Sequence, residues 1–505
     1  MICIPITGRT EDEALLQIEE SGGRAHVLEL RVDLIAGDLK VLVEKCRSLS
    51  LPVQILVTNR KEELQARENF SGEEKRITVL KEAIRLGVDY VDVELDTPDI
   101  LRKDMIALAG AHGGRTRVII SHHDYEGTPS FETLRSIFHE CMESGASVAK
   151  IVTFAKSAED CITVCRLIPY ARRRGKDIIA FCMGDEGRKS RIMAALLGTQ
   201  LSFASLTHGL ASAPGQLTVD EMEEFMIPGR KGKTSGAGPE LFCLFGNPVQ
   251  QSLSPLMHEA ALRNMNIAGK YLPFRIEDIG PSVNAMREIG IRGASITVPF
   301  KVDVMEYLDY VDHDALEIGA VNTVVNDDGR LTGFNTDWIG LVRSVREFTD
   351  IKGRAVMILG AGGAARAAVF GILREGGIPI VVNRNIARGE RLAARWGCHF
   401  HRFEEIATVK ADGLINTTPV GMMPDMDKIP VDGTVLANFR WVMDCVYNPL
   451  STRLISAAGN AGCVAIPGIG MFVHQGAEQI RLWTRREAPR ELMKKVVKET
   501  LLHGN

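Results

Sequence analysis

Short apolar, β-rich runs recur through the first part of the chain, near 2–7, 25–33, 53–58, 90–95, 117–122, 147–154, 177–183 and 201–206. Charged amphipathic stretches such as 73–86 and 131–143 lie between them. Apolar runs bounded by polar turns read as strands buried on both faces, and the amphipathic stretches as helices that cover them. Eight such units in roughly 225 residues predict a (β/α)8 barrel, expected over 1–227. An open doubly wound sheet competes, but seldom holds eight regular units in so short a length. The run 228–239, rich in Gly, Lys and Ser with no apolar period, reads as a linker. An apolar strand at 241–246 opens a second half, with an α/β unit over 240–345 and a further strand, glycine turn and helix start from 355.

Composition narrows the class. The 505 residues are 45% hydrophobic and 25% charged, which suits a globular protein of two or three domains. A net charge of −4 gives no global field for recruiting nucleic acid or an anionic membrane. No apolar run is long enough to span a bilayer. The ten cysteines are scattered without a C-x-x-C, so reduced thiols in a cytoplasmic enzyme are expected. Met1 runs almost directly into a strand, leaving no room for a targeting segment in the chain as given. His399 and His401 form the one tempting metal pair and lack partners at ligand spacing, so no metal is expected.

The barrel strands end in chemistry. Lys150 lies inside the apolar run 145–154, and lysine is rarely buried unless paired or functional. A desolvated lysine amine can attack a ketone to form a Schiff base. The bland alternative is a lysine that snorkels or pairs with a carboxylate. Other strand ends carry Glu29, Arg31 and Asp33, then Arg60, then His123 and Asp124; beyond the last two strands stand Arg191, Ser212 and Gln216. Barrel sites form at such ends. Arginines clamp carboxylates and a histidine shuttles protons, which suggests acid–base chemistry on an anion around an amine nucleophile.

The signatures Glu-Leu-Arg-Val-Asp (29–33), Ser-His-His-Asp (121–124), Ala-Lys-Ile (149–151) and Ser-Ala-Pro-Gly-Gln (212–216) resemble type I 3-dehydroquinate dehydratases across the whole barrel. The resemblance implies that Lys150 forms an imine with the substrate ketone. His123 would remove the adjacent proton and later help expel hydroxyl as water. Arg191, Ser212 and Gln216 would grip carboxylate and hydroxyls, with Glu29, Arg31 and Arg60 completing the polar floor. One departure stands out: the family's acidic residue and Gly-Gly pair after Arg60 are replaced by Lys-Glu-Glu63-Leu. Glu63 is left outside the expected site.

In the second half, Gly360-Ala361-Gly362-Gly363-Ala364-Ala365 fits the dinucleotide fingerprint between a strand and a helix. The next strand ends in Asn383-Arg384, with Arg388 one turn on. An arginine where an acid would hold the ribose suits a 2′-phosphate, hence NADP. Polar clusters at 247–255, 296–301, 322–323 and 335–337, with runs at 416–422, 444–449 and 468–475, resemble shikimate dehydrogenase from about 241 to the C-terminus. That resemblance implies a substrate-binding domain over 240–345, completed by helices at about 470–505, and a Rossmann-type NADP-binding domain over 346–469. It places Ser252 and Ser254 on the substrate carboxylate, and Thr297, Asn322, Tyr447 and Gln475 around the ring hydroxyls. Lys301 would be the general acid, with Asp337 bonded close by. Thr417 and Gly468 join the fingerprint glycines, Asn383 and the two arginines as expected cofactor contacts.

The fusion resembles the bifunctional dehydratase–dehydrogenases of aromatic amino-acid biosynthesis, which take 3-dehydroquinate through 3-dehydroshikimate to shikimate. Two rival readings compete with this one. A quinate-preferring second half is disfavoured by the presence of Ser252, Ser254 and Arg384. A non-catalytic metabolite sensor predicts eroded catalytic positions, yet Lys150, His123, Lys301 and Asp337 all stand.

Overall fold

The computed structural model describes residues 1–61, 70–226 and 240–503. Glu63 and the expected linker at 228–239 lie outside the described residues. The chain divides into two compact units, Met1–Pro239 and Glu240–Asn505. Among the described residues, no helix is long and apolar enough to cross a membrane.

The first unit is a (β/α)8 barrel. Its strands are β1 (Ile2–Ile6), β2 (Val27–Arg31), β3 (Gln54–Thr58), β4 (Tyr90–Glu94), β5 (Arg117–His123), β6 (Val148–Phe154), β7 (Asp177–Met183) and β8 (Ser202–Ser205). They pair in parallel in the order β7-β6-β5-β4-β3-β2-β1-β8, and a short strand Leu217–Thr218 extends β8. At the seam between β7 and β8, Gln200 N donates to Ile178 O at 2.9 Å, and the rings of Phe181 and Phe203 approach to 6.0 Å. Every residue of β1 is buried, as a strand covered on both faces requires. Helices start where the sequence offers caps: Thr10 and Glu13 form a capping box at the helix Glu11–Ser21. Against this apolar background, Asp92 in β4 and Lys150 in β6 are buried charges that the packing alone does not explain.

The second unit holds two six-stranded sheets. The first runs Gly269–Arg275, Glu240–Gly246, Gly293–Ile296, Thr323–Asp327, Arg330–Phe334, Tyr310–Val311 and mixes parallel with antiparallel pairs. The C-terminal helices Ile469–Thr484 and Arg490–His503 pack on it: Trp483, Met493 and Val497 share a core with Phe242 and Tyr271. The Trp483 indole donates to Val324 O at 3.0 Å, and a Cβ on Gly293 would lie 2.3 Å from its ring. The second sheet runs His399–Arg402, Ile378–Asn383, Ala355–Leu359, Gly413–Asn416, Trp441–Asp444, Val464–Ile466, all parallel. This is the 3-2-1-4-5-6 order of a Rossmann fold, whose ligand crevice opens where the order reverses, beyond Leu359 and Asn416.

Trp483→Ala should remove about 3–5 kcal/mol from the second core. Amide protection measured by hydrogen exchange is expected to fall in Glu240–Gly246 and Thr323–Asp327 while the barrel strands keep theirs. Equal loss in both units, or no loss, would contradict the packing described.

Candidate active sites

At the mouth of the barrel, the strand ends converge on one buried network. Lys150 Nζ donates to Asp92 Oδ2 at 2.7 Å, and both side chains are almost wholly buried. Asp92 Oδ1 accepts from Ser121 Oγ at 2.6 Å, and Asp92 Oδ2 also accepts from Arg60 at 3.3 Å. Burial alone would raise the Asp92 carboxyl, but the Lys150 and Arg60 charges outweigh it and hold the group well below its ordinary range. Lys150 is thus both buried and paired, so the two readings offered by its sequence position are not alternatives. Its Nζ also lies 4.6 Å from the Phe203 ring centre.

Arg60 ties His123 into this network, its Nη1 lying 3.0 Å from His123 Nδ1. A guanidinium only donates, so Nδ1 accepts and the ring proton of neutral His123 sits on Nε2. Burial, then the nearby Arg60 and Lys150 charges, push the imidazole well below its ordinary value, which keeps it neutral. Around them, Thr58 Oγ1 donates to Glu29 at 2.8 Å, and Arg31 forks onto Asp33 at 3.0 and 2.5 Å.

Among the described residues, Arg191 pairs with no carboxylate. It lies in the first turn of the helix Arg188–Leu197 rather than on a strand end, is 4% exposed, and packs 4.3 Å from the Phe181 ring. Among the described residues its Nε and one terminal nitrogen have no hydrogen-bond partner. Burial pushes the guanidinium down to about 10. A buried, unsatisfied cation is costly unless a ligand completes it, and an anion is what would do so. Ser212 donates through N and Oγ to Gln216 Oε1 at 2.7 and 3.1 Å, on a loop where Pro214 O accepts from Gly184 N just beyond β7.

In the second unit, Lys301 Nζ donates to Asp337 Oδ2 at 2.6 Å. Asn322 Nδ2 donates to the other oxygen at 2.8 Å and lies 3.5 Å from Gln475 Oε1. Thr297 follows Gly293–Ile296 and opens the next turn, and a Cβ on Gly246 would lie 2.2 Å from its methyl. Ser252 Oγ accepts from Ser254 N at 3.2 Å. Tyr447 stacks on Phe472 at 4.0 Å; burial raises its phenol, and hydrogen bonds to Leu253 and Ser252 partly offset this. Hence Ser252, Ser254 and Tyr447 form one cluster, and Lys301, Asp337, Asn322 and Gln475 another.

The glycine turn fits a dinucleotide. Gly360 has φ +117°, and a Cβ there would lie 2.6 Å from Thr417 Oγ1, which donates to Leu359 O at 2.6 Å. A Cβ on Gly362 would meet open space at the start of the helix Gly363–Arg374, where a pyrophosphate binds backbone N–H groups. Ala361 lies between these two glycines, and Ala364 in the first turn of that helix. Gly363 faces Lys301, whose Cδ would be 3.4 Å from a Cβ there, so the turn abuts the lysine. Asn383 and Asn385 close the next turn, Asn385 capping Arg388 N at 3.0 Å. Arg384 and Arg388 are exposed, with no carboxylate partner among the described residues. Gly468 allows a close approach instead: a Cβ would lie 2.5 Å from Val446 O.

Residues 2–227 match the family described as type I 3-dehydroquinase. Residues 244–324 match the shikimate dehydrogenase substrate binding domain, and 468–498 the shikimate 5′-dehydrogenase C-terminal domain. The chain belongs to the bifunctional type I 3-dehydroquinate dehydratase/shikimate dehydrogenase family. It is 29% identical over 517 residues to the chloroplastic bifunctional 3-dehydroquinate dehydratase/shikimate dehydrogenase of Arabidopsis thaliana, covering 97% of this chain and 83% of that protein. The shikimate dehydrogenase (NADP(+)) of Pyrococcus furiosus is 39% identical over 260 residues, 51% of this chain and 94% of that one. A crystal structure of shikimate dehydrogenase in complex with NADP+ superposes with a TM-score of 0.50 at 34% identity, covering 52% of this chain and 96% of that one.

Two participants escaped the sequence reading. Asp92, the carboxylate under Lys150, was passed over although Tyr90–Glu94 shows charges at period two within an apolar strand. Ser121, bonded to Asp92, belongs to a quoted signature but was given no role.

Histidine NMR, with His123 assigned by His123→Asn, should find this ring titrating well below 6.5. Arg60→Gln should move the value up, because removing a cation favours the protonated ring, while burial keeps it under 6.5. A native value at or above 6.5 would overturn the electrostatic picture.

Proposed function

We propose that Lys150 is the imine-forming nucleophile of the dehydratase half and Lys301 the proton donor of the dehydrogenase half. The enzyme converts 3-dehydroquinate to 3-dehydroshikimate in the first unit and reduces that ketone to shikimate with NADPH in the second. The observation that carries the first assignment is the buried Lys150–Asp92 pair beside a neutral histidine. Attack by Nζ on the substrate ketone requires its proton to leave, and formation of the imine releases water. His123 then takes the proton from the adjacent carbon; a substrate that engages Arg60 frees Nδ1 for this. The same proton leaves with the departing hydroxyl as a second water, and hydrolysis of the imine regenerates Lys150. Arg191 supplies the cation that holds the carboxylate, with Ser212, Gln216, Glu29 and Arg31 fixing the rest of the ring.

In the second unit, NADPH supplies a hydride when bound. Lys301 gives its proton to the carbonyl oxygen that becomes the new hydroxyl, and Asp337, itself held by Asn322, keeps the ammonium in place. Ser252, Ser254 and Tyr447 take the substrate carboxylate end, and Thr297 and Gln475 the hydroxyls. Arg384 and Arg388 pair with the 2′-phosphate, for which their exposed, unpaired guanidinium groups are suited. Turnover of quinate with NAD in place of this reaction would favour the quinate reading.

Borohydride added during turnover of 3-dehydroquinate should fix substrate to Lys150. Lys150→Ala should abolish dehydration and leave shikimate oxidation near normal. An adduct on another lysine, or none, would sink the assignment. Arg384→Ala should raise KM for NADPH about tenfold or more and leave NADH kinetics nearly unchanged, since hydrogen bonds to charged groups contribute roughly 1.5–3 kcal/mol. Equal losses with both cofactors would mean that Arg384 holds the fold or the adenine.

A further inference from the structure

A second concave site lies in the dehydrogenase unit, along the helix Asp337–Arg346. The cavity is about 520 Å³, within the range of small-molecule pockets. Trp338, Ile339 and Val342 form its apolar wall, the indole braced edge-on against Phe370 at 5.3 Å. Three arginines face it. Arg343 is paired to Glu478 at 3.2 Å and Arg346 to Glu375 at 3.4 Å, whereas Arg490 has no carboxylate partner among the described residues. Glu347, also in the lining, is taken by His474 at 2.7 Å and Lys494 at 3.8 Å. His474 is 8% exposed, lines the cavity, and has its Nδ1 without a hydrogen-bond partner. Of the three lining arginines only Arg490 therefore lacks a carboxylate partner among the described residues, which leaves one positive charge unanswered in a cavity walled by an indole.

We propose that this cavity binds a small organic monocarboxylate carrying an apolar ring, and that its occupancy is felt at the Lys301–Asp337 pair. The carboxylate pairs with Arg490 and the ring lies against Trp338, a combination of one charge-assisted contact and one apolar wall. The coupling follows from chain connectivity. Trp338 directly follows Asp337, which accepts from Lys301, and His474 directly precedes Gln475, which contacts Asn322. A ligand that shifts either helix start or register moves groups on the catalytic lysine.

Phenylacetate is the probe, with acetate and inorganic phosphate as comparisons, titrated calorimetrically into the full chain. Phenylacetate should bind saturably, acetate and phosphate at least tenfold more weakly, and Arg490→Ala should weaken phenylacetate about tenfold without changing basal rates. At saturation, shikimate oxidation with NADP should show a changed kcat that shikimate does not relieve. The kinetic arm rests on the dehydrogenase reading, whereas the calorimetric arm does not, so failure of one is separable from failure of the other. Unchanged affinity in Arg490→Ala, equal binding of acetate, competition with shikimate, or saturation without a kinetic change would each overturn the proposal.

Discussion

Two lysine–carboxylate pairs, one between the barrel strands β4 and β6 and one joining the turn after Gly293–Ile296 to the start of the helix Asp337–Arg346, organise the two units. Lys150–Asp92 and Lys301–Asp337 have nearly the same length, 2.7 and 2.6 Å, but very different surroundings. The first is almost dry, with side chains 4% and 1% exposed; the second is partly open, at 21% and 8%. Taking an ion pair out of water costs several kcal/mol per ion unless further hydrogen bonds satisfy it. Ser121 and Arg60 do this for Asp92, and Asn322 does it for Asp337. The difference in burial suits the two roles proposed for these lysines. A nucleophile has to be stripped of solvent to attack, whereas a proton donor has to be resupplied with protons after each turnover.

Cationic groups around the barrel site are arranged unequally, and that asymmetry has chemical meaning. Arg60 and Lys150 share one carboxylate and sit against His123, so a third positive charge on the ring is disfavoured. Arg191, by contrast, is buried against Phe181 with nitrogens unsatisfied. An anionic ligand thus finds its strongest unmet charge at Arg191, on the β7 side, which is the orientation that the roles proposed for Arg191 and Lys150 require.

The architecture was legible in the sequence because its period was. All eight barrel strands fall where apolar runs stood between amphipathic stretches, and the Rossmann strand, glycine turn and helix fall at 355–374. Lys150 was legible too, since a charge in an apolar run advertises itself, whereas Lys301 stood out only through the resemblance to shikimate dehydrogenase. Asp92 was harder to see: within Tyr90–Glu94 it is one of two charges at period two, and only the approach of β5 and β6 gives it Ser121 and Lys150 as partners. Partners brought together from 58 residues away leave no local pattern.

The same limit hides the network under the second site, and here it does more than hold the fold. His258 Nδ1 bonds Ser254 O at 2.8 Å, and its ring stacks on Tyr271 at 4.4 Å. Burial pushes that imidazole down to about 4, so it stays neutral inside the core. Tyr271 donates to Ser295 at 2.7 Å, Ser295 to Gln479 at 2.9 Å, and Gln479 to Asn322 O at 3.2 Å and Thr323 Oγ1 at 3.1 Å. Every link is buried, and apart from His258 Nε2, which has no hydrogen-bond partner among the described residues, breaking one of the network's bonds strands a buried partner. The chain runs from the serine end of the cluster to the asparagine that holds Asp337. A substrate spanning Ser254 and Lys301 would therefore meet two ends of one rigid frame, drawn from strands and helices as distant in sequence as Ser295 and Gln479.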